Sequence, residues 1–357
     1  MKDCYILSLL LQQALFGNKL NSVVLPSLSD KDWNQIYALA AQQGVLALVF
    51  DAVATLPTKQ QPPRALKMQW IASIANIEGR YNYQKGVAKD LAEQYNQNNI
   101  TTYVLKGFAI AGYYPKPEHR ECGDLDCFLG ADYEKGNQVA EQMGAKVTRD
   151  YYKHSHITYR KLMVENHQFC IAIRGSRDLK EFERHLESTI SKGATKIDDS
   201  HLIKPSADFN ALFITTHAMT HFLVEGIKLR HILDWALLLK AEQNNINWKE
   251  FYFWADKMHL TRFADAMTAI SVEHLGLQIT NNAIHTSSPY AERILRDTIE
   301  NSKGIHNKGY SAWKSRFMQI RNRLSFAWKY HKIYQKSLLV ELTKSLFAFI
   351  FERHPKL

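Results

Sequence analysis

The sequence predicts an α+β protein in which a small mixed sheet stands between two helical regions. Apolar residues recur at helical spacing through the first hundred residues and again from Pro205 onward, whereas residues 98–175 carry short β-branched and alternating segments. A chain of 357 residues with 46% hydrophobic and 22% charged residues has an ordinary globular composition and room for two or three units. We therefore expect an N-terminal helical region at 1–97, an α/β core at 98–200 and a C-terminal helical domain at 201–357.

Capping signals predict the helices on both sides of the core. Ser29 followed by Asp32 has the spacing of a capping box, and the apolar positions that follow end at Gly44. After a Pro-Pro break, the stretch 64–97 repeats apolar residues at helical spacing. Ser206 is expected to cap the first helix of the C-terminal region.

The core is predicted from short strands that glycine and proline separate. Residues 100–105 are β-branched and apolar, and Leu125–Leu129 has the pattern of a second strand. Between them, Lys106-Gly107 precedes a short apolar helix at 108–114. Further elements are expected along the chain: a helix at 132–143 and strands near 145–150, 155–161 and 163–173.

Two aspartates lie two positions apart in the second strand. Strand side chains alternate between faces, so Asp124 and Asp126 are expected to point the same way while Leu125 and Cys127 pack. Like charges this close repel unless a cation lies between them, and Mg²⁺ prefers hard oxygen ligands and accepts substrate phosphates. The expected occupant is therefore Mg²⁺ or Mn²⁺; the alternative is a solvated surface pair.

The turn before the short helix predicts a phosphate-binding site. Gly107 lets the backbone approach a phosphate, and the N-terminus of the helix that follows offers N–H groups to an anion. Lys106 adds a point charge for the same phosphates. Arg120 is expected either to steer a triphosphate or to form a surface salt bridge.

This segment resembles the nucleotidyltransferase superfamily pattern of a glycine turn followed by Asp-x-Asp. It is similar in particular to a bacterial branch, the uncharacterised nucleotidyltransferase family, whose motif reads Leu-Lys-Gly and then Arg-x-x-x-Asp-hydrophobic-Asp. The matching positions are Leu105, Lys106, Gly107, Arg120, Asp124, Leu125 and Asp126. Val164-Glu165-Asn166-His167 resembles a hydrophobic-Glu-hydrophobic-His signature of that branch, and the resemblance extends over roughly residues 30–260.

The resemblance implies a nucleotidyltransferase core in which Asp124 and Asp126 hold Mg²⁺. An acceptor hydroxyl, on a small molecule or a sugar, would attack the α-phosphate of an NTP in line, and pyrophosphate would leave. Glu165 would complete the metal site or activate the hydroxyl; its alternative is an exposed carboxylate on an edge strand. The rival hypotheses are a non-catalytic nucleotide-binding protein of the same fold and an RNA-binding protein.

The remaining polar motifs are expected to be structural. His217 and His221 lie one helical turn apart, a spacing that can chelate zinc, but the sequence offers no third ligand. Arg230 and Asp234, which also resemble the helical part of the family, are expected to pair with each other. The four cysteines lack paired spacing and are expected to be reduced thiols in a cytoplasmic protein.

One segment supplies most of the net charge of +10: residues 301–340 hold nine Lys or Arg and no Asp or Glu. Apolar residues recur at helical spacing through this segment: Trp313, Phe317, Ile320, Leu324 and Trp328. Basic residues, which include Lys329, surround this apolar stripe. This is typical of a helix with a basic solvated face. The alternatives are contact with a polyanion such as RNA, or with an anionic membrane surface through 301–350. No signal peptide or transmembrane segment is expected.

Overall fold

The computed structural model describes residues 2–17, 25–173, 176–301, 326–340 and 343, and it is an α+β structure as the sequence predicts. The helices are α1 Lys2–Phe16, α2 Asp30–Gln43, α3 Leu46–Thr55, α4 Arg64–Gln97, α5 Phe108–Ala111, α6 Tyr133–Gln142, α7 Arg177–Thr189, α8 Ala207–Val224, α9 Leu229–Glu242, α10 Trp248–Lys257, α11 Thr261–Glu273 and α12 Ala291–Asn301. The strands are β1 Thr102–Val104, β2 Leu125–Phe128, β3 Lys146–Thr148, β4 His154–Tyr159, β5 Leu162–His167, β6 Thr195–Lys196 and β7 Leu202–Lys204.

The strands form one mixed sheet in the order β3-β4-β5-β2-β1-β7-β6. Strands β2 and β5 lie side by side near its centre and run parallel, whereas β4 and β1 flank them in antiparallel orientation. In this register Asp126 lies opposite Glu165, and Glu165 lies opposite His156 on β4. Paired residues project from the same face of a sheet, so three neighbouring strands bring polar side chains to one place.

The two faces of the sheet have different surroundings. Leu125 and Cys127 point into a hydrophobic cluster with Val164 and with apolar residues of the long helix α4 and of α6. Asp126, between them in sequence, projects from the other face. The alternation predicted for the second strand is therefore present, and the polar face of the sheet is turned away from α4.

A second hydrophobic cluster joins the helices of the two ends of the chain. Its largest fully buried side chains include Trp33, Trp70, Phe222 and Trp235. The predicted helix at 64–97 and its neighbour with the Ser29 capping box are both present. The proposed division at residues 97 and 200 stays a prediction.

The C-terminal basic segment is described only at 326–340 and 343, where it differs from the prediction. Lys329, expected on a solvated face, is 0% exposed: its Nζ donates to the carbonyl of Phe222 at 3.0 Å and lies 2.6 Å from Asp297 Oδ2. The π-helical turn Lys329–Tyr334 is thereby anchored to the helical core. The stripe residues from 313 to 324 lie outside the described residues.

The hydropathy of the helices bears on membrane insertion. No helix in the described part of the chain combines the length and the apolar character that crossing a membrane requires.

Candidate active site

The carboxylates of Asp124 and Asp126 converge on the ammonium group of Lys106. Lys106 Nζ lies 3.6 Å from Asp124 Oδ1 and 3.1 Å from Asp126 Oδ2. The Asp126 side chain is 4% exposed and that of Asp124 is 40% exposed, so one carboxylate is buried and the other faces solvent. The structure thus brings three of the predicted site residues to one spot beside Gly107.

The ion pair between Asp126 and Lys106 determines the protonation state of both side chains. Burial acts to raise the pKa of Asp126, but Lys106 and His167 outweigh it and hold the pKa well below its ordinary value. Burial likewise acts to lower the pKa of Lys106, and the two aspartates reverse that effect. Both partners are therefore ionised at neutral pH.

Strand β5 adds Glu165 and His167 to Asp126. His167 Nε2 lies 3.3 Å from Asp126 Oδ1 and 3.2 Å from Glu165 Oε2. Its Nδ1 lies 3.2 Å from the carbonyl of Phe169, and because a carbonyl only accepts, Nδ1 must carry a proton. In a neutral ring Nε2 is then an acceptor that faces two carboxylate oxygens.

Three converging acceptors need a positive charge between them, from a second ring proton or from a metal ion. Asp126, Glu165 and His167 have the geometry of a possible metal-binding group, and oxygen donors suit Mg²⁺ or Mn²⁺. This group contains two of the three predicted ligands, with His167 in the place of Asp124, and it could hold a divalent cation. Glu165 lies on an inner strand, so the alternative of an edge-strand carboxylate does not hold.

Strand β4 contributes two histidines that the sequence analysis did not single out. His154 Nδ1 lies 3.5 Å from Glu165 Oε2, and His156 Nε2 lies 3.6 Å from Glu165 Oε1. Burial, and then the neighbouring His167, lower the pKa of His154 to about 4, so its ring is neutral at pH 7. The sequence His154-Ser155-His156, at the start of the strand predicted near 155–161, could have indicated that the two histidines share one face of the sheet.

A cavity of about 650 Å³ opens beside these carboxylates, a volume in the range of small-molecule sites. Lys106, Gly107 and Asp124 form part of its wall, and α8 and α9 supply much of the rest. The residues that carry its charge and polarity are Lys106, Arg120, Asp124, His217, His221, Glu225, Lys228, Arg230, His231 and Asp234.

The turn at Gly107 has a conformation that glycine alone adopts readily, with φ 58° and ψ −111°. The helix that follows is a single turn, shorter than the predicted 108–114. The N–H groups of Ala109, Ile110 and Ala111 already bond to the carbonyls of Lys106 or Gly107. Because these N–H groups are already bonded, an anion at this turn would meet few free donors. A helix of one turn also has only a small dipole to attract it.

Arg120 is a buried residue, not the surface salt-bridge partner that was one of its two predicted roles. Its Nη2 lies 2.7 Å from Asp234 Oδ2 and its Nε lies 3.2 Å from Asp234 Oδ1. Tyr114 donates a further hydrogen bond to the same carboxylate at 2.6 Å. Arg120 also donates to the carbonyl of Glu121 at 3.2 Å and so braces the segment that leads to Asp124.

The predicted pair between Arg230 and Asp234 is wrong, because Asp234 takes its hydrogen bonds from other residues. Arg230 Nη1 donates instead to the carbonyl of Glu121 at 2.9 Å, and its buried Nε has no hydrogen-bond partner among the described residues. Within that part of the chain neither Arg230 nor Lys228 forms an ion pair with a carboxylate. Two cations that the sequence analysis did not assign to the site thus line the cavity.

A row of histidines lies along another wall of the cavity. His221 Nδ1 contacts Glu225, and its Nε2 lies 3.0 Å from Nε2 of His217. Burial and the nearby Lys106 hold the pKa of His217 well below its ordinary value, so that ring is neutral. The two histidines are in contact, as their spacing of one helical turn predicts.

Comparison with known protein families identifies the family of the chain. The sequence model of the family described as uncharacterised nucleotidyltransferase matches residues 29–276, about two thirds of the 357-residue chain. The match includes the whole sheet and every residue that lines the cavity. No curated protein and no solved structure matches the chain. The chain belongs to the uncharacterised nucleotidyltransferase family, and it is a transferase that acts on nucleotides.

Proposed function

We propose that the protein transfers a nucleotide from an NTP to a hydroxyl group of a small molecule or a sugar and releases pyrophosphate. The supporting observation is that Asp124 and Asp126 flank Lys106, that Asp126 and Glu165 share His167, and that Lys106 and Asp124 line a cavity large enough for a nucleotide. This combination suits phosphoryl transfer, which depends on positioning and on neutralising charge.

The three carboxylates would hold Mg²⁺ or Mn²⁺. A divalent ion there would neutralise phosphate oxygens and stabilise the charge that develops on the leaving pyrophosphate. Asp126 would supply a buried oxygen, Glu165 a half-buried one, and Asp124 an oxygen at the cavity wall. Lys106 offsets one of the two aspartate charges before substrate binds, and its ammonium group lies at the cavity wall.

The phosphates are proposed to bind along the cationic wall of the cavity. Lys106, Gly107 and Arg120 form the predicted phosphate-binding set, and Lys228 and Arg230 extend it. The last two have no carboxylate partner within the described residues, so their charges are available to an anion. Arg120 is held by Asp234 and contributes mainly by fixing the wall.

A contact between residues 301–350 and a polyanion or an anionic membrane surface is a separate proposal. Most of that segment lies outside the described residues. Lys329 is buried and would take no part, which leaves the other basic residues to form the contact. Such binding would weaken steeply as salt rises.

Replacing either aspartate by asparagine tests the proposed chemistry. Purified wild-type protein, given each of the four labelled NTPs with Mg²⁺ or Mn²⁺ and a panel of hydroxyl-bearing acceptors, should release pyrophosphate. D124N and D126N should each lower that rate about 1,000-fold, since loss of about 4 kcal/mol of charge stabilisation corresponds to that factor. Circular dichroism should show an unchanged fold.

Asp132 provides a matched control for this experiment. It lies in the same core, and its side chain makes no capping hydrogen bond to α6. D132N should keep the wild-type rate. Protein that binds an NTP without releasing pyrophosphate under any condition would instead support the non-catalytic alternative, and equal rates in D124N, D126N and wild type would refute the assignment of the aspartates.

A further inference from the structure

The two histidines of β4 and Glu165 form a group of donors beside the proposed catalytic carboxylates. One nitrogen of each ring and one oxygen of the carboxylate lie within 4.8 Å of one another. The antiparallel pairing of β4 and β5 places His156 directly opposite Glu165, and His154 opposite His167. The donors are therefore held by two paired inner strands of a rigid sheet.

A hydrogen bond to Asp150 fixes which nitrogen of His156 is available. His156 Nδ1 lies 2.9 Å from Asp150 Oδ1, and because a carboxylate accepts, Nδ1 carries the proton. The lone pair of a neutral ring is then on Nε2, which faces Glu165. A carboxylate that orients a histidine in this way is the usual partner of a metal-binding imidazole.

His154 presents the complementary observation. Its side chain is 10% exposed, and its Nδ1 is buried with no hydrogen-bond partner among the described residues. That nitrogen lies 3.5 Å from Glu165 Oε2. A buried polar atom without a partner is rare in folded proteins, and here it faces the same carboxylate as His156.

These distances match the needs of a metal ion. Donors about 2.1 Å from a tetrahedral zinc ion lie about 3.4 Å from each other. Glu165 Oε2 lies 3.5 Å from His154 Nδ1, and the other oxygen, Oε1, lies 3.6 Å from His156 Nε2, so each histidine faces its own oxygen of the carboxylate. Two imidazoles with one carboxylate favour Zn²⁺ over Mg²⁺, which prefers oxygen donors.

We propose that His154, His156 and Glu165 bind a second metal ion of the Zn²⁺ class, at a site separate from Asp124 and Asp126. The three protein donors leave one coordination position for water or a ligand. Glu165 is the one donor common to this site and to the site with Asp126, so an ion here would orient the carboxylate and neutralise part of its charge. The proposal concerns metal binding and does not depend on nucleotide transfer.

Titration of Zn²⁺ alone into chelator-stripped full-length protein tests the site, with a chromophoric chelator as competitor. Wild type should bind Zn²⁺ tightly, and Co²⁺ in its place should give the visible absorption of a site with nitrogen ligands. H154Q and H156Q should each weaken binding about 100-fold or more. D150N, at an exposed side chain, should weaken it about tenfold, the usual size for loss of a residue that orients a ligand.

Two controls locate the bound ion. Glu273, His274 and Glu292 form another possible metal-binding group elsewhere, and H274Q should leave tight binding unchanged. D124N should also keep it, since Asp124 belongs to the other site. Failure of wild type to bind Zn²⁺ tightly, unchanged binding in the H154Q/H156Q double variant, or loss of binding in H274Q or D124N would each overturn the proposal. Absent pyrophosphate release with intact Zn²⁺ binding would refute only the proposed function.

Discussion

Asp126 is the residue on which the polar face of the sheet depends most. Its Oδ2 faces the Lys106 ammonium, and its Oδ1 faces Nε2 of His167, which needs a second ring proton or a metal ion beside it. A carboxylate this deeply buried is tolerated only when it has partners of opposite charge. Binding of a metal ion or substrate must therefore rearrange the charges around Asp126.

The sequence allowed some of these residues to be predicted and not others. Asp124 and Asp126 could be predicted to lie close together because alternation in a strand is a local rule, although β2 begins at Leu125 and Asp124 precedes it. His154 reaches Glu165 only through the pairing of two strands, which no local spacing encodes. Lys228 reaches the cavity because of how α9 begins against the core, and its charge alone gave no sign of this.

The buried pair of Arg120 and Asp234 predicts a large effect on stability. D234N keeps the shape of the side chain but leaves the Arg120 guanidinium, 5% exposed, without its anionic partner. The free energy of unfolding should fall by about 3–5 kcal/mol in denaturant titrations. The matched change E134Q breaks the exposed pair with Arg149 and should cost less than about 1 kcal/mol. Similar losses in the two variants would contradict the structural role assigned to Arg120.

At the scale of elements, strong local patterns predicted which elements are present better than where they end, since β5 stops at His167, six residues before the predicted end. The predicted helix at 64–97 and the strands near 145–150, 155–161 and 163–173 correspond to α4, β3, β4 and β5. Strands β6 and β7 have two and three residues and were not predicted, because no longer apolar or alternating segment surrounds them. Strand β7 joins the sheet by pairing with β1, and β6 joins by pairing with β7, so their place depends on tertiary interactions.

The capping box at the start of α2 is a local feature whose contribution to the free energy of unfolding can be measured. Ser29 Oγ accepts from the N–H of Asp32, and the Asp32 carboxylate accepts from the N–H of Ser29. S29A should lower the free energy of unfolding by about 1 kcal/mol, since a helix N–H loses its acceptor. Ser188, exposed in α7 and bonded to the carbonyl of His185, is the control, and S188A should change stability by less than about 0.5 kcal/mol. An effect of S188A as large as that of S29A would argue against a capping contribution.

At the scale of the whole molecule, the helical core takes in residues from both ends of the described chain. The Gln12 side chain donates to the carbonyl of His274 at 2.9 Å, across 262 positions of sequence. The Gln43 side chain donates to the carbonyl of Thr298 at 3.1 Å. Helical periodicity predicted that both ends are helical. It could not show that they share one core, because the contacts join residues that lie far apart in the sequence.

The buried ammonium of Lys329 predicts that the turn it belongs to is part of the cooperative fold. K329M removes the cation that lies 2.6 Å from Asp297 Oδ2 in a fully buried position. The free energy of unfolding should fall by about 3 kcal/mol, as it does when one partner of a buried pair is lost. Lys332, exposed in the same turn, gives the matched variant K332M, which should be close to wild type. Equal midpoints for both in urea would show that the turn contributes nothing to stability.

The shared core also has a consequence for biosynthesis. While a ribosome makes this polypeptide, the leucines and tryptophans of α1 to α3 emerge long before the helices that will cover them. At about 5–20 residues per second, a wait of more than 250 positions lasts on the order of 10–50 seconds. Throughout that interval the nascent N-terminal part presents uncovered apolar surface, and it should be a favoured client of chaperones that hold unfinished chains.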